Sequence, residues 1–155
     1  MIAVITGDIV NSRTERSVKW QPQLKRILNK YGKEPKSWEI YRGDSFQLRI
    51  APAKAFLAAI HIKSAIKQIS GLDVRMAIGI GNIETNASKV TEATGDAFIR
   101  SGESFDDLKR QMLVLASGNS DLDETLNLMI SLALLTMNNW SETVAAIIIT
   151  SVMST

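Results

Sequence analysis

The stretch W-E-I-Y-R-G-D-S-F-Q-L-R-I, residues 38–50, has the pattern of a β-hairpin. Apolar and polar residues alternate on both sides of Gly43-Asp44, and this period of two is typical of strands with one buried face. Gly-Asp between two such runs is a turn signal. We therefore predict strands at 38–42 and 45–50, with Asp44 held at the turn.

Two predicted helices and two further strands surround this hairpin. Apolar residues at helical spacing indicate the helices, and short apolar or alternating runs indicate the strands. In chain order the elements are a strand at 2–7, a helix at 17–31, the hairpin, a helix at 52–70 and a strand at 73–81. The order β-α-β-β-α-β predicts an α+β fold with a ferredoxin-like (split βαβ) sheet and its helices on one face.

The remainder of the chain predicts a loop, more helix and a last strand. We expect a loop at 82–94, a helix at 95–109 and a strand at 112–116. Asp121, with Glu124 three residues later, predicts the N-cap of a long helix that ends at Met137.

The C-terminal runs LNLMISLALLTM and VAAIIITSVM are strongly apolar, which predicts C-terminal apolar helices. Each run is shorter than the roughly 20 residues that span a bilayer, so we expect core or interface helices and no membrane span. We predict an α+β domain at 1–118 and a helical extension at 119–155. This extension would pack on the domain or on the partner in a homodimer, unless the chain ends in a truncated or frameshifted segment.

Composition narrows the classes of function. The 155 residues include no cysteine and one histidine, His61, which excludes thiolate zinc sites and multi-histidine metal sites. The formal net charge of +2 does not favour direct binding to nucleic acid. The absence of cysteine and of a basic leader before the first apolar run predicts a cytoplasmic protein.

Two aspartates become neighbours in the predicted topology. The first strand pairs beside the hairpin, so Asp8 at its end and Asp44 at the turn lie on the same edge of the sheet. Two carboxylates repel each other unless a cation lies between them, and oxygen ligands suit Mg²⁺ or Mn²⁺. The alternative is that Asp8 caps the following turn and Asp44 is only a turn residue.

Several motifs resemble those of class III nucleotidyl cyclases. T-G-D-I-V-N-S at 6–12 resembles their first metal-binding motif, and Y-R-G-D-S-F at 41–46 resembles their hairpin and that of diguanylate cyclases. V-R-M-A-I-G-I-G at 74–81 and A-T-G-D-A-F at 93–98 are similar to later cyclase segments. A closer resemblance, over roughly residues 1–140, is to the SatD family, whose pattern is similar to these motifs almost residue for residue.

The cyclase resemblance implies a set of site residues. It places the metal on Asp8, Asp44 and the carbonyl of Ile9. Thr6 and the loop after Asp8 would frame a nucleoside triphosphate. The predicted nucleotide-binding set is Gly7, Val10, Asn11, Ser12, Arg13, Gly43 and Arg75, in which Arg13 is included because it follows the candidate phosphate loop and Arg75 because it lies in a strand of the same sheet. For Arg75, a salt-bridged surface position is the open alternative to a phosphate or carboxylate partner.

The sequence also departs from the cyclase pattern. Ile99 and Glu103 stand where active cyclases carry an asparagine and an arginine, and Arg100 replaces that arginine only if the alignment slips. Ile40 stands where adenylyl cyclases select the base with a lysine. The expected function is therefore nucleotide and divalent-metal binding, with nucleotidyl transfer left open. The alternative is a non-catalytic regulatory module that acts through dimerisation or through a DNA-binding partner region.

Overall fold

The computed structural model describes residues 1–13 and 17–153. The elements are β1 Ile2–Val10, α1 Ser17–Tyr31, β2 Trp38–Tyr41, β3 Ser45–Ile50, α2 Pro52–Lys67, β4 Asp73–Gly81, α3 Asp96–Asp106, β5 Leu113–Ala116, α4 Ser120–Met137 and α5 Glu142–Met153. A short 3₁₀ turn at Val90–Glu92 interrupts the loop before α3. This arrangement confirms the prediction of a mixed α+β protein.

One mixed sheet joins the five described strands in the order β2-β3-β1-β4-β5. β1 is antiparallel to both β3 and β4, and β5 runs parallel to β4. The central strand therefore lies between the hairpin and β4. This pairing aligns the end of β1 with the hairpin loop, since Asp8 is the cross-strand partner of Ser45.

The first face of the sheet carries the main hydrophobic core. Ile5 and Ile9 of β1 point to this face, and they share one buried cluster with Leu24 of α1 and Ala58 of α2. Successive strand residues point to opposite faces, so the alternation seen in the sequence gives this side its apolar character.

The second face of the sheet is covered by α3, so the prediction that the helices lie on one face fails for α3, whereas α1, α2, α4 and α5 contribute to the core on the first face. The Ser101 hydroxyl of α3 donates a 3.1 Å hydrogen bond to the carbonyl of Ala77 and forms a 2.6 Å hydrogen bond with the hydroxyl of Thr6 in β1. Gly79 permits this approach, because a Cβ there would overlap the Ala97 carbonyl oxygen and the Ser101 amide nitrogen. Small residues thus bring helix and strand backbones into contact.

A buried lysine ties α2 to β4 and to the end of α4. Lys63, whose side chain is 1% exposed, donates bonds of 2.9 Å to Asp73 and to the side chain of Asn138. Lys67 forms a second ion pair with the Asp73 carboxylate at 3.3 Å and donates a hydrogen bond to the Asn138 carbonyl. Burial lowers the pKa of Lys63, and Asp73 acts against that shift. The cluster therefore holds a buried charge by pairing it.

A second buried polar contact links α1 to α2. The Tyr31 hydroxyl hydrogen-bonds to Nδ1 of His61. Burial lowers the pKa of His61, a backbone hydrogen bond to Val152 of α5 raises it, and the charge of Lys30 lowers it. Burial also raises the pKa of Tyr31 to about 12. The surroundings of His61 therefore favour its neutral form over the protonated one.

The C-terminal helices contact the sheet and α2 but leave an apolar surface exposed. Asn127 of α4 exchanges two 2.8 Å hydrogen bonds with the backbone of Leu115 in β5. The N-cap of α4 is Asn119, which accepts from the Leu122 amide, so the prediction of Asp121 as the cap is wrong. The exposed α4 stripe consists of four side chains, each at least 60% exposed: Leu128, Met129, Leu132 and Leu135.

None of the helices in the described part of the chain combines the length and apolarity that a membrane span requires.

Candidate functional site

Four side chains form a row across the sheet at the end of β1. Tyr41 of β2 is paired with Ser45 of β3, Ser45 with Asp8 of β1, and Asp8 with Arg75 of β4. Cross-strand partners project from the same face of a sheet. The row therefore brings a phenol, a hydroxyl, a carboxylate and a guanidinium to one place on the second face.

The hairpin loop places Asp44 against the end of β1. The loop comprises residues 42–44, and both Arg42 (φ 50°) and Gly43 (φ 86°) adopt left-handed backbone conformations. Glycine adopts this conformation without strain, which explains Gly43. The Asp44 carbonyl accepts a 3.1 Å hydrogen bond from the Ile9 amide, and its carboxylate accepts one of 2.6 Å from Ser12. Asp44 is thus more than a turn residue, because its carboxylate also contacts Ser12 in the segment after β1.

Asp8 forms a two-pronged ion pair with Arg75. Nε and Nη2 of Arg75 donate to the two carboxylate oxygens at 3.0 and 2.6 Å. The guanidinium also lies 5.6 Å from the centre of the Phe105 ring. The hydrogen bonds that Arg75 donates to Asp8 raise the pKa of Arg75, burial opposes this, and the charges of Asp8 and Asp44 add to it. The Asp8 carboxylate is thus held by the guanidinium of Arg75.

The two aspartates and Arg75 line an open cleft of about 560 Å³, a volume in the range of small-molecule sites. Its described lining is Asp8, Ile9, Val10, Asn11, Ser12, Arg13, Asp44, Arg75, Lys109, Arg110 and Met112. The topology thus brings together eight of the ten residues predicted to bind metal or nucleotide. Thr6, also expected to frame the triphosphate, is outside the described lining.

The other two implied residues, Gly7 and Gly43, are outside the described lining. Gly7 has a packing role, because a Cβ there would lie 2.5 Å from the Phe46 ring and 2.8 Å from the Arg75 carbonyl oxygen. Gly43 has open space around it and serves the turn.

Lys109 and Arg110 were not among the predicted site residues, and the prediction for 95–109 was a helix, or a helical turn followed by a helix. The helix ends at Asp106, and Lys109 adopts a left-handed conformation (φ 53°) in the loop that follows. This loop brings two cations to the cleft opposite the hairpin. The sequence shows the adjacent charges of Lys109 and Arg110. Their position at the cleft follows only from the end of α3 at Asp106, which the sequence did not predict.

The positions at which the sequence departs from the cyclases lie elsewhere. Ile99 is 54% exposed on α3, Glu103 is also exposed, and neither belongs to the described lining of the cleft. Arg100 donates a 2.7 Å hydrogen bond to the Ile80 carbonyl, and this bond connects α3 to the end of β4. The idea that Arg100 replaces the cyclase arginine therefore has no support in this geometry.

The described lining of the cleft carries more cationic than acidic side chains, which favours the binding of an anion. Four cationic side chains (Arg13, Arg75, Lys109 and Arg110) face two carboxylates. Within residues 1–13 and 17–153, no three acidic, histidine or cysteine side chains come together as a metal cluster. A hard cation here would have only the two carboxylates and a carbonyl from the protein, and would need water or ligand oxygens to complete its coordination.

Tyr41 borders the acidic part of the site. Burial raises the pKa of its hydroxyl, the charge of Arg42 lowers it, and the carboxylates of Asp106 and Asp8 raise it again. The phenol therefore stays protonated near neutral pH and is available as a hydrogen-bond donor.

Comparison with known proteins gives a family but no curated relative. The model of the SatD family matches residues 1–154. A comparison with the curated proteins finds no match.

Proposed function

The chain belongs to the SatD family, and from that premise we propose that it binds a phosphorylated nucleotide together with Mg²⁺ or Mn²⁺ in the cleft beside Asp8 and Asp44. Family membership names no ligand, so the proposal rests on the cleft. The observation that carries it is the meeting of two carboxylates from different strands with four cationic side chains in one open cavity.

The phosphates would lie on the cationic side of the cleft. Arg13 follows the end of β1, and Lys109 and Arg110 approach from the loop after α3. Guanidinium and ammonium groups are the side chains that bind phosphate oxygens most strongly. Asn11 and Ser12 follow β1 at the same place, where backbone and side-chain donors can add contacts. This division of the cleft matches a ligand with several negative charges.

The divalent cation would be held by the carboxylates of Asp8 and Asp44. Oxygen donors from two aspartates, with the Ile9 carbonyl nearby, are the ligand type that Mg²⁺ and Mn²⁺ prefer. The shortage of further protein ligands fits a cation that retains water and is completed by the phosphates of its nucleotide. Bound there, the cation would neutralise phosphate charge and orient the phosphates. The proposed fold relationship is to the ferredoxin-like nucleotidyl-cyclase domains, and the strand order supports it.

A thermal-shift experiment tests this proposal. The protein is melted alone, with Mn²⁺, with ATP or GTP, and with both. A ligand at 100 times its Kd adds about 2.7 kcal/mol, which in a protein of this size is a shift of roughly 5–10 °C. We expect the full shift only with cation and nucleotide together.

The variants for this experiment are Asp44→Asn and, as a matched control, Asp121→Asn. Asp121 is an exposed aspartate on α4 and is not part of the cleft. The shift should disappear in Asp44→Asn and persist in Asp121→Asn. An unchanged shift in Asp44→Asn, or no shift in the parent protein with either nucleotide, would refute the proposed site.

The same samples report whether binding leads to reaction. Nucleotidyl transfer from a triphosphate would release pyrophosphate, and its release can be followed with Mn²⁺ and each nucleoside triphosphate. Release that is lost in Asp44→Asn would make the protein an enzyme. Binding without release would make it a nucleotide-dependent regulatory module.

A second candidate function is self-association through the exposed α4 stripe. Four large apolar side chains on one helix face, each at least 60% exposed, form a surface of the kind that protein interfaces cover. We propose a homodimer in which the stripe packs against a second copy. Light scattering at micromolar concentration should give twice the monomer mass, and Leu132→Glu should give the monomer. Ser120→Glu, which adds the same charge at an exposed position in the first turn of α4, away from the stripe, should leave the dimer intact.

A further inference from the structure

Both carboxylates of the cleft already have partners. Arg75 occupies both oxygens of Asp8, while Ser12 donates to Asp44 at 2.6 Å. These contacts differ in strength, because a two-pronged guanidinium–carboxylate pair is stronger than a single bond from a neutral hydroxyl. A cation that uses Asp8 must therefore compete with Arg75 for the same carboxylate oxygens.

The position of Arg75 permits an exchange of partners. Its side chain is 36% exposed, and the cleft that it lines also contains Arg13, Lys109 and Arg110. The β4 backbone fixes the arginine opposite Asp8, and Phe105 lies beside the guanidinium at 5.6 Å. A guanidinium released from Asp8 would remain in the cleft, among the other cations, where a phosphate is proposed to bind.

We propose that Arg75 is an internal counter-ion that occupies the cation position of the empty cleft and moves to the phosphates when the metal–nucleotide complex binds. The inference rests on the proposed function, because it assigns a regulatory role within the same site. In the empty protein Arg75 neutralises Asp8. In the complex the divalent cation takes over Asp8, and the guanidinium binds a phosphate oxygen.

This exchange makes the two ligands cooperative. A cation that binds alone must displace Arg75 without giving the guanidinium a new partner. A nucleotide that binds alone must either leave Arg75 on Asp8 or leave Asp8 unpaired. When both bind, each charge finds a partner. By linkage, the nucleotide must then raise the affinity for the cation by the same factor as the cation raises the affinity for the nucleotide.

The decisive experiment measures Mn²⁺ binding without nucleotide, by electron paramagnetic resonance of the free ion, in the parent protein and in Arg75→Gln. The ion pair is partly exposed, so its competition with the cation is screened. We expect Arg75→Gln to bind Mn²⁺ about tenfold more tightly than the parent. The double variant Asp8→Asn/Arg75→Gln should lose this gain, because the gained affinity comes from the freed Asp8.

Two further variants separate the counter-ion role from other effects. Arg42→Gln removes one cation beside the hairpin but does not touch Asp8, so its Mn²⁺ affinity should equal that of the parent. Arg75→Lys keeps the charge and loses the two-pronged geometry, and its affinity should fall between the parent and Arg75→Gln. It also preserves a cation in the sheet if Arg75→Gln folds poorly.

The outcomes distinguish this inference from the proposed function. Equal or weaker Mn²⁺ binding in both Arg75→Gln and Arg75→Lys would overturn the counter-ion role, even if the parent protein shows a metal- and nucleotide-dependent thermal shift. Tighter Mn²⁺ binding in Arg75→Gln without any nucleotide effect would support the counter-ion and leave the nucleotide proposal without support. An equal gain in Arg42→Gln would show a general charge effect and would also overturn the inference.

Discussion

Replacing Asp73 should destabilise the protein more than replacing Lys63, although the two residues form one ion pair. In Lys63→Met the buried ammonium disappears. The remaining carboxylate of Asp73 still has Lys67 at 3.3 Å, its own contact with the Val74 amide at 2.8 Å, and some solvent. In Asp73→Asn the ammonium of Lys63, 1% exposed, keeps its hydrogen bond to the side chain of Asn138 and loses the charge that neutralises it.

The magnitudes follow from these partners. Lys63→Met loses two charge-assisted hydrogen bonds, each worth about 1.5–3 kcal/mol, but it also removes the desolvation cost of the ammonium, which is several kcal/mol. We expect a net loss of about 1–2 kcal/mol. Asp73→Asn leaves a buried charge without its counter-ion, which typically costs about 3–5 kcal/mol. Burial lowers the pKa of Lys63, and Asp73 opposes this shift. Without Asp73 the pKa of Lys63 would fall further, and part of the free-energy cost would be the cost of deprotonating the lysine.

Urea unfolding at pH 7 provides the assay, because the midpoint and slope give the free energy of unfolding of each variant. In the Lys63→Met background the Asp73→Asn change should cost less than about 1 kcal/mol, since no buried ammonium remains to be stranded. The reasoning is refuted if Lys63→Met costs as much as Asp73→Asn, or if the cost of Asp73→Asn is the same in both backgrounds.

Three further predictions concern pH, backbone contact and helix propensity. Burial holds the pKa of His61 below its usual 6.5, so on acidification below pH 6.5 the unfolded chain binds a proton that the folded protein does not. In urea unfolding, the contribution of His61 to stability should be complete above pH 6.5 and should fall towards the folded pKa by at most about 1.4 kcal/mol per pH unit. His61→Gln should flatten that dependence. Gly79→Ala should lower the unfolding free energy by about 1–3 kcal/mol, since its Cβ would overlap the α3 backbone. Gly102→Ala, whose Cβ meets no atom within 4 Å, should instead raise it by about 0.5–1 kcal/mol, and a loss there would contradict the packing argument.

The sequence was a good guide to the sheet because its signals are local. Alternation around Gly43 located both hairpin strands, and the order of elements placed Asp8 beside the hairpin loop. The eight implied residues that line the cleft come mostly from β1 and the segment after it, so one strand assignment located most of them together.

The sequence was a poor guide where distant segments decide the outcome. The pairing of Asp8 with Arg75 joins residues 67 positions apart, and an arginine in a strand looks the same whether it binds a carboxylate or faces solvent. The end of α3 before Lys109 is set by tertiary packing, with Leu108 buried at 4% exposure. The position of α3 on the second face depends on Gly79, whose small size is a signal only once a helix is known to lie there.

The central place of β1 has a consequence for how the protein is made. β1 precedes in the chain both strands that pair with it, and the second of these, β4, ends about 70 residues later. β3, which ends 40 residues after β1, can pair with one edge, and at synthesis rates of roughly 5–20 residues per second the other edge stays unpaired for roughly 4–14 seconds. An unpaired strand edge is a template for strand-to-strand aggregation, so this interval is when the nascent chain is most exposed to it. The cleft is completed later still, because its last lining residue, Met112, adjoins β5.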